Sequence, residues 1–132
     1  MKALLLITSV FLFSCATTKK VTDQNILGKW NVTNIQNVKI PKEVDTHLNF
    51  KLEDKLGGSA SCNNYFASYK ASGGKLSISE GGATKKLCFG KLNNYEFLFL
   101  QSLPLVTEFK IERNSLTLFS KEGKVLFKAD RD

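Results

Sequence analysis

Apolar and polar residues alternate strictly along Leu48-Asn49-Phe50-Lys51-Leu52, so a strand there turns Leu48, Phe50 and Leu52 toward a core and Asn49 and Lys51 toward water. The same two-residue period recurs in Leu76-Ser77-Ile78 and Phe109-Lys110-Ile111. Ser115-Leu116-Thr117-Leu118 and Val125-Leu126-Phe127 are short β-favouring runs. Turn-forming residues lie between them, as Asp54-Lys55-Leu56-Gly57-Gly58, Ser72-Gly73-Gly74-Lys75, Glu112-Arg113-Asn114-Ser115 and Lys121-Glu122-Gly123-Lys124. The spacing predicts an antiparallel meander of at least six strands.

One segment departs from this period. Asn93 can cap a helix, with Glu96 three residues on as the second half of a capping-box-like pair, and Pro104 would stop it. Within it Tyr95, Phe97, Leu98, Phe99, Leu100 and Leu103 leave little polar face, which predicts a helix buried on more than one side, against or inside the sheet. Such a run also fits a buried strand; the capping residues favour the helix.

The first residues follow another plan. Lys2 is followed by an apolar stretch from Ala3 to Phe13, broken by Thr8 and Ser9, which is the layout of a secretion signal and is shorter than the roughly 20 residues of a membrane span. Its end, Leu12-Phe13-Ser14-Cys15, resembles the bacterial lipobox, departing from it at Phe13, where a smaller residue is usual. Residues 1–14 are therefore expected to be a signal peptide and Cys15 to be lipidated, with several acyl chains giving lasting attachment to a membrane. Ala16 to Asn25 are polar and aperiodic, as a tether is, so the expected division is 15–25 for the lipidated Cys and tether and 26–132 for one β domain. Ala16 in place of an Asp after the Cys favours the outer membrane, in the periplasm, over the inner one.

At 132 residues the chain holds one compact domain, and 42% hydrophobic with 23% charged residues is ordinary globular composition. The net charge of +7 suits anionic neighbours. The Lys residues are scattered without an aromatic-basic recognition pattern, which argues against nucleic acid and for membrane headgroups. A monomer is expected.

With Cys15 assigned to lipid, Cys62 and Cys88 remain, and an even remainder in an exported chain reads as one disulfide. A redox-active pair is disfavoured, because there is no Cys-x-x-Cys spacing and no neighbouring His. His47, the single histidine, falls on the polar side of its strand, where a solvated imidazole is expected. Neither a metal-ligand spacing nor a nucleophile motif is present, so no catalytic residue, metal or cofactor is assigned and an enzyme is not expected.

Three short pieces carry a family resemblance: Leu27-Gly28-Lys29-Trp30 at the first strand, Cys62-Asn63-Asn64-Tyr65 after a Gly-rich turn, and Thr84-Lys85-Lys86-Leu87-Cys88 ahead of the helix. In that order and spacing, from Ile26 to about Phe127, the chain resembles the META domain, the family of the HslJ-like heat-shock lipoproteins. It departs from the family at Ser61, where Gly commonly precedes the Cys, and in Ala67-Ser68-Tyr69, where a Gly often precedes the second Tyr. The resemblance implies a mainly β fold, a small lipocalin-like antiparallel barrel with one packed α-helix, in an envelope protein linked in various members to stress tolerance, antibiotic resistance or secretion. Gly28, Trp30, Asn63, Tyr65 and Thr84 are its motif residues. From their chemistry Trp30 and Tyr65 are expected to fill the core with their polar tips near its rim, and Asn63 to bond nearby backbone where a strand carrying Cys62 ends.

The functional expectation is a non-enzymatic structural, stress-response or binding role in a lipoprotein. The alternatives are a carrier of a small apolar ligand, and an inhibitor or chaperone of an envelope protein partner. Like charges disfavour strongly basic targets of such an inhibitor.

Overall fold

The computed structural model describes residues 24–132. The expected signal peptide, Cys15 and the tether up to Asp23 lie outside the described residues.

After a 3-10 turn at Gln24–Ile26, nine strands follow: β1 (Gly28–Ile35), β2 (Val38–Lys39), β3 (His47–Phe50), β4 (Lys55–Ser59), β5 (Asn64–Ser72), β6 (Lys75–Ala83), β7 (Val106–Glu112), β8 (Ser115–Ser120) and β9 (Val125–Asp130). Among the described residues a single α-helix, α1 (Lys91–Ser102), precedes a second 3-10 turn at Leu103–Leu105. Successive strands from β3 to β9 pair antiparallel, and β1 bonds on one side to β3 (Gly28 with Phe50, Asn31 with His47) and on the other to β9 (Asn31 with Asp130, Ile35 with Phe127). That last pairing closes eight strands into a barrel, leaving β2 as a short hairpin extension of β1. Closure removes the open edges that a meander would expose.

The interior follows from the two-residue period. Trp30, Phe50, Leu48, Leu56, Leu76, Leu116, Leu118, Leu126 and Phe127 are fully buried. Leu52 was expected among them and is 74% exposed. Strand β3 ends at Phe50, and the chain then reverses through Glu53 and Asp54, both at positive φ, so the alternation in sequence outlasts the strand.

The barrel has distinguishable ends. At one, β1 begins and β3 finishes, with Arg131 reaching the carbonyls of Asn25 and Leu27 (3.0 and 3.3 Å). At the other, β4 ends at Ser59, β5 begins at Asn64 and β6 ends at Ala83. Helix α1 belongs to this second end, its Ser102 hydroxyl accepting from Gln36 just past β1 (3.1 Å).

Helix α1 starts at Lys91 rather than near Asn93, with Gly90 at φ 60 in the N-cap position and no side-chain cap. It is buried along one stripe, through Glu96, Phe99 and Ser102, and not on several sides; Phe97 is 68% exposed. A helix laid across a barrel mouth offers one face to it, and the three-residue spacing of that stripe leaves Phe97 on the water side. Phe99 enters the core, its ring 4.9 Å from Tyr65 and 5.2 Å from Phe127.

Between β6 and β7 the registered pair is Lys75 with Glu108, supported by a bond from the Phe109 N–H to the Gly74 carbonyl (2.9 Å). Beyond it the strands part, and Leu103 with Pro104 lines a half-open cleft of about 320 Å³ against Tyr65, Ile78 and Gly82.

Candidate functional site

The chain crosses from β4 to β5 through Ala60-Ser61-Cys62-Asn63, a turn fixed by a bond from the Ala60 N–H to the Asn63 carbonyl (2.8 Å). Cys62 and Asn63 thus lie in a turn ahead of β5; the expectation of a strand carrying Cys62 is corrected, because β4 ends at Ser59. Ser61 sits at φ 91, a backbone region that glycine adopts freely and other residues rarely. Its side chain is held there by a hydrogen bond with the Thr46 hydroxyl (2.7 Å), and its N–H donates to the Ser59 hydroxyl (3.3 Å).

Cys62 is joined to Cys88 by a disulfide, with Cα atoms 6.1 Å apart. The bridge ties the β4–β5 turn to the segment between β6 and α1. Asn63 ties the same two segments a second time. Its Oδ1 accepts from the Lys86 N–H (2.7 Å) and the Thr84 hydroxyl (2.9 Å), and its Nδ2 donates to the Lys86 carbonyl (3.1 Å). The same Nδ2 also lies 2.9 and 3.0 Å from the two carboxylate oxygens of Glu96, which is 8% exposed. Thr84 in turn accepts from the Asn64 N–H (3.2 Å). The Asn63 side chain therefore bonds not the backbone of its own turn but that of Lys86, 23 residues on, and in addition holds a buried carboxylate.

Tyr65 follows in β5. Its ring packs on Phe99 and its hydroxyl donates to the His47 carbonyl (3.1 Å), while burial pushes its phenol far above the ordinary range. His47 is not freely solvated: its ring is largely covered and lies against Gly58, and its Nδ1 lies 2.8 Å from the Asp45 carboxylate. Gly58, at φ 148, leaves no space for a Cβ beside His47.

Of the motif residues, the structure brings together Cys62, Asn63, Tyr65, Thr84 and Cys88. Gly28 and Trp30 lie toward the other end, where Gly28 takes φ 111 and Trp30, fully buried, donates from Nε1 to the Ile26 carbonyl (2.8 Å) beneath the Arg131 guanidinium (4.1 Å to the ring centre). Glu96 was read only as half of a helix cap. Its place on the inner stripe, three residues before Phe99, is the signal that marks it as inward-facing. Among the described residues, Cys62, Cys88 and Glu96 form a group whose sulfur and carboxylate atoms lie within 4.8 Å of one another.

A closed, helix-capped antiparallel barrel with a cross-linked turn defines a small lipocalin-like β class. Within it the chain belongs to the META domain family, whose model matches residues 24–132. No curated protein matches the sequence. The fold is similar to an NMR structure of a protein from Burkholderia xenovorans (TM-score 0.67, 19% identity, 80% of this chain and 81% of that one). It is also similar to the crystal structure of a DUF4847 family protein from Bacteroides vulgatus (TM-score 0.60, 15% identity, 80% and 92%).

Proposed function

We propose that this META barrel is a lipid-anchored protein of the bacterial cell envelope with a structural or binding role rather than a catalytic one. The observation that carries the reading is the Cys62–Cys88 bridge, because such cross-links form and persist in oxidising compartments outside the cytoplasm. The lipobox-like Leu12-Phe13-Ser14-Cys15 supports the same location and supplies the anchor. A binding role agrees with an end of the molecule that exposes Leu87, Phe89 and Phe97 among Lys85, Lys86 and Lys91. The carrier alternative has the cleft beside Leu103 and Pro104 in its favour, whereas the barrel interior is occupied by Trp30, Phe50, Phe99 and Phe127.

Intact-mass analysis of the membrane-extracted protein, with and without reductant before alkylation, tests the proposal. The expected species begins at an acylated Cys15 and gains two alkyl groups only after reduction. An unprocessed chain with three alkylatable thiols would overturn it.

A further inference from the structure

Glu96 is unusual in this molecule. It is a carboxylate on the inner stripe of α1, and the sulfur of Cys88 lies 3.5 Å from its Oε2. The Cys62 sulfur completes the group, every ligand atom within 4.8 Å of the others. We propose that Cys62, Cys88 and Glu96 form a zinc(II) site that opens when the disulfide is reduced.

Geometry supports the metal. A tetrahedral zinc with bonds of about 2.3 Å to sulfur and 2.0 Å to oxygen has an S···O edge of about 3.5 Å and an S···S edge of about 3.8 Å. The separation between the Cys88 sulfur and Glu96 already matches. The two sulfurs, about 2 Å apart in any disulfide, need to separate by less than about 2 Å, which side-chain rotation supplies.

Chemistry supports it as well. Two thiolates and one carboxylate are a borderline-soft set suited to zinc; copper(I) favours all-sulfur sites and magnesium all-oxygen ones. Asn63 positions the carboxylate by donating to it, and each carboxylate oxygen keeps a second lone pair for a metal. Asn63 is itself fixed by Lys86 and Thr84, so the ligand has an ordered outer support. Cys62 and Cys88 are half-buried, which leaves a fourth position reachable by water.

The steps balance with a dithiol reductant of the thiol–disulfide reductase class. Two electrons and two protons pass from the dithiol, the S–S bond breaks, Cys62 and Cys88 become thiols and the reductant becomes a disulfide. Zinc then binds both sulfurs and releases the two thiol protons.

Cobalt(II), a spectroscopic stand-in for zinc, tests this on the full chain in detergent. The reduced protein is expected to take up about one equivalent, with the intense visible bands of tetrahedral cobalt and a thiolate charge-transfer band, both displaced by zinc. The oxidised protein is expected to show neither. Glu96→Gln should weaken zinc binding about tenfold or more, while circular dichroism of its oxidised form verifies the fold. Zinc should also raise the Tm of the reduced protein and leave that of the oxidised protein unchanged. Absent cobalt bands, equal zinc affinity in a folded Glu96→Gln protein, or a Tm of the reduced protein that zinc does not raise would each overturn the site.

Discussion

At the scale of single residues, the polar groups of the interior act through what they hold. Tyr65 keeps a phenol in an apolar setting with one bond to the His47 carbonyl, so its proton is retained far more strongly in the folded chain than in the unfolded one. The unfolded phenol loses its proton above pH about 10, where the folded one keeps it. Fewer protons on the unfolded state then mean stability that is intact below about pH 10 and falls as pH rises, by up to about 1.4 kcal/mol per unit for this group. Urea unfolding at pH 8 and pH 11 should show this loss, and Tyr65→Phe should make it smaller; an unchanged pH dependence would refute the assignment. Ser61 shows the opposite economy. At φ 91 it occupies a backbone region suited to glycine, which accounts for the glycine common there in the family, and its hydroxyl and N–H bonds offset the strain.

At the scale of elements, α1 divides into residues that close the barrel and residues that do not. Phe99 is fully buried against Tyr65 and Phe127, so Phe99→Ala should cost about 3–5 kcal/mol in unfolding free energy. Phe97→Ala, on the water side, should stay within about 0.5 kcal/mol, and equal losses in the two variants would contradict this placement. Strands β3, β6, β7 and β8 were legible in the sequence because the alternation around Leu48, Leu76, Phe109 and Leu116 reports directly which side of a sheet is wet, whereas Lys55-Leu56-Gly57-Gly58, expected as a turn from its glycines, lies in β4. The extent of a strand was less legible: Leu52 continues the alternation, but positive φ at Glu53 and Asp54 turns the chain away. The helix was recognisable from its apolar run and from Pro104, yet its inner face was not, since nearly every residue in Phe97–Leu100 is apolar and the face is chosen by the barrel mouth. The cysteine pairing was readable from residue types. The partners of Asn63 were not, because Lys86 and Glu96 lie 23 and 33 residues away and meet it only through tertiary packing.

At the scale of the whole molecule, the disulfide and the β1–β9 pairing restrain the chain in different ways. The bridge closes a loop of 26 positions, for which chain-entropy arguments give about 3–4 kcal/mol. The double variant Cys62→Ser/Cys88→Ser should lower the unfolding free energy extrapolated to water by about that amount and steepen the urea dependence, and an unfolding free energy equal to the native one would show that Asn63 alone suffices. The pairing of β1 with β9 has a consequence in time. Asn31 to Ile35 are made early and Phe127 to Asp130 late, so the closing hydrogen bonds wait until the intervening chain is available. Until then β1 presents an unpaired edge, so a barrel joined first strand to last completes its closure only when β9 docks.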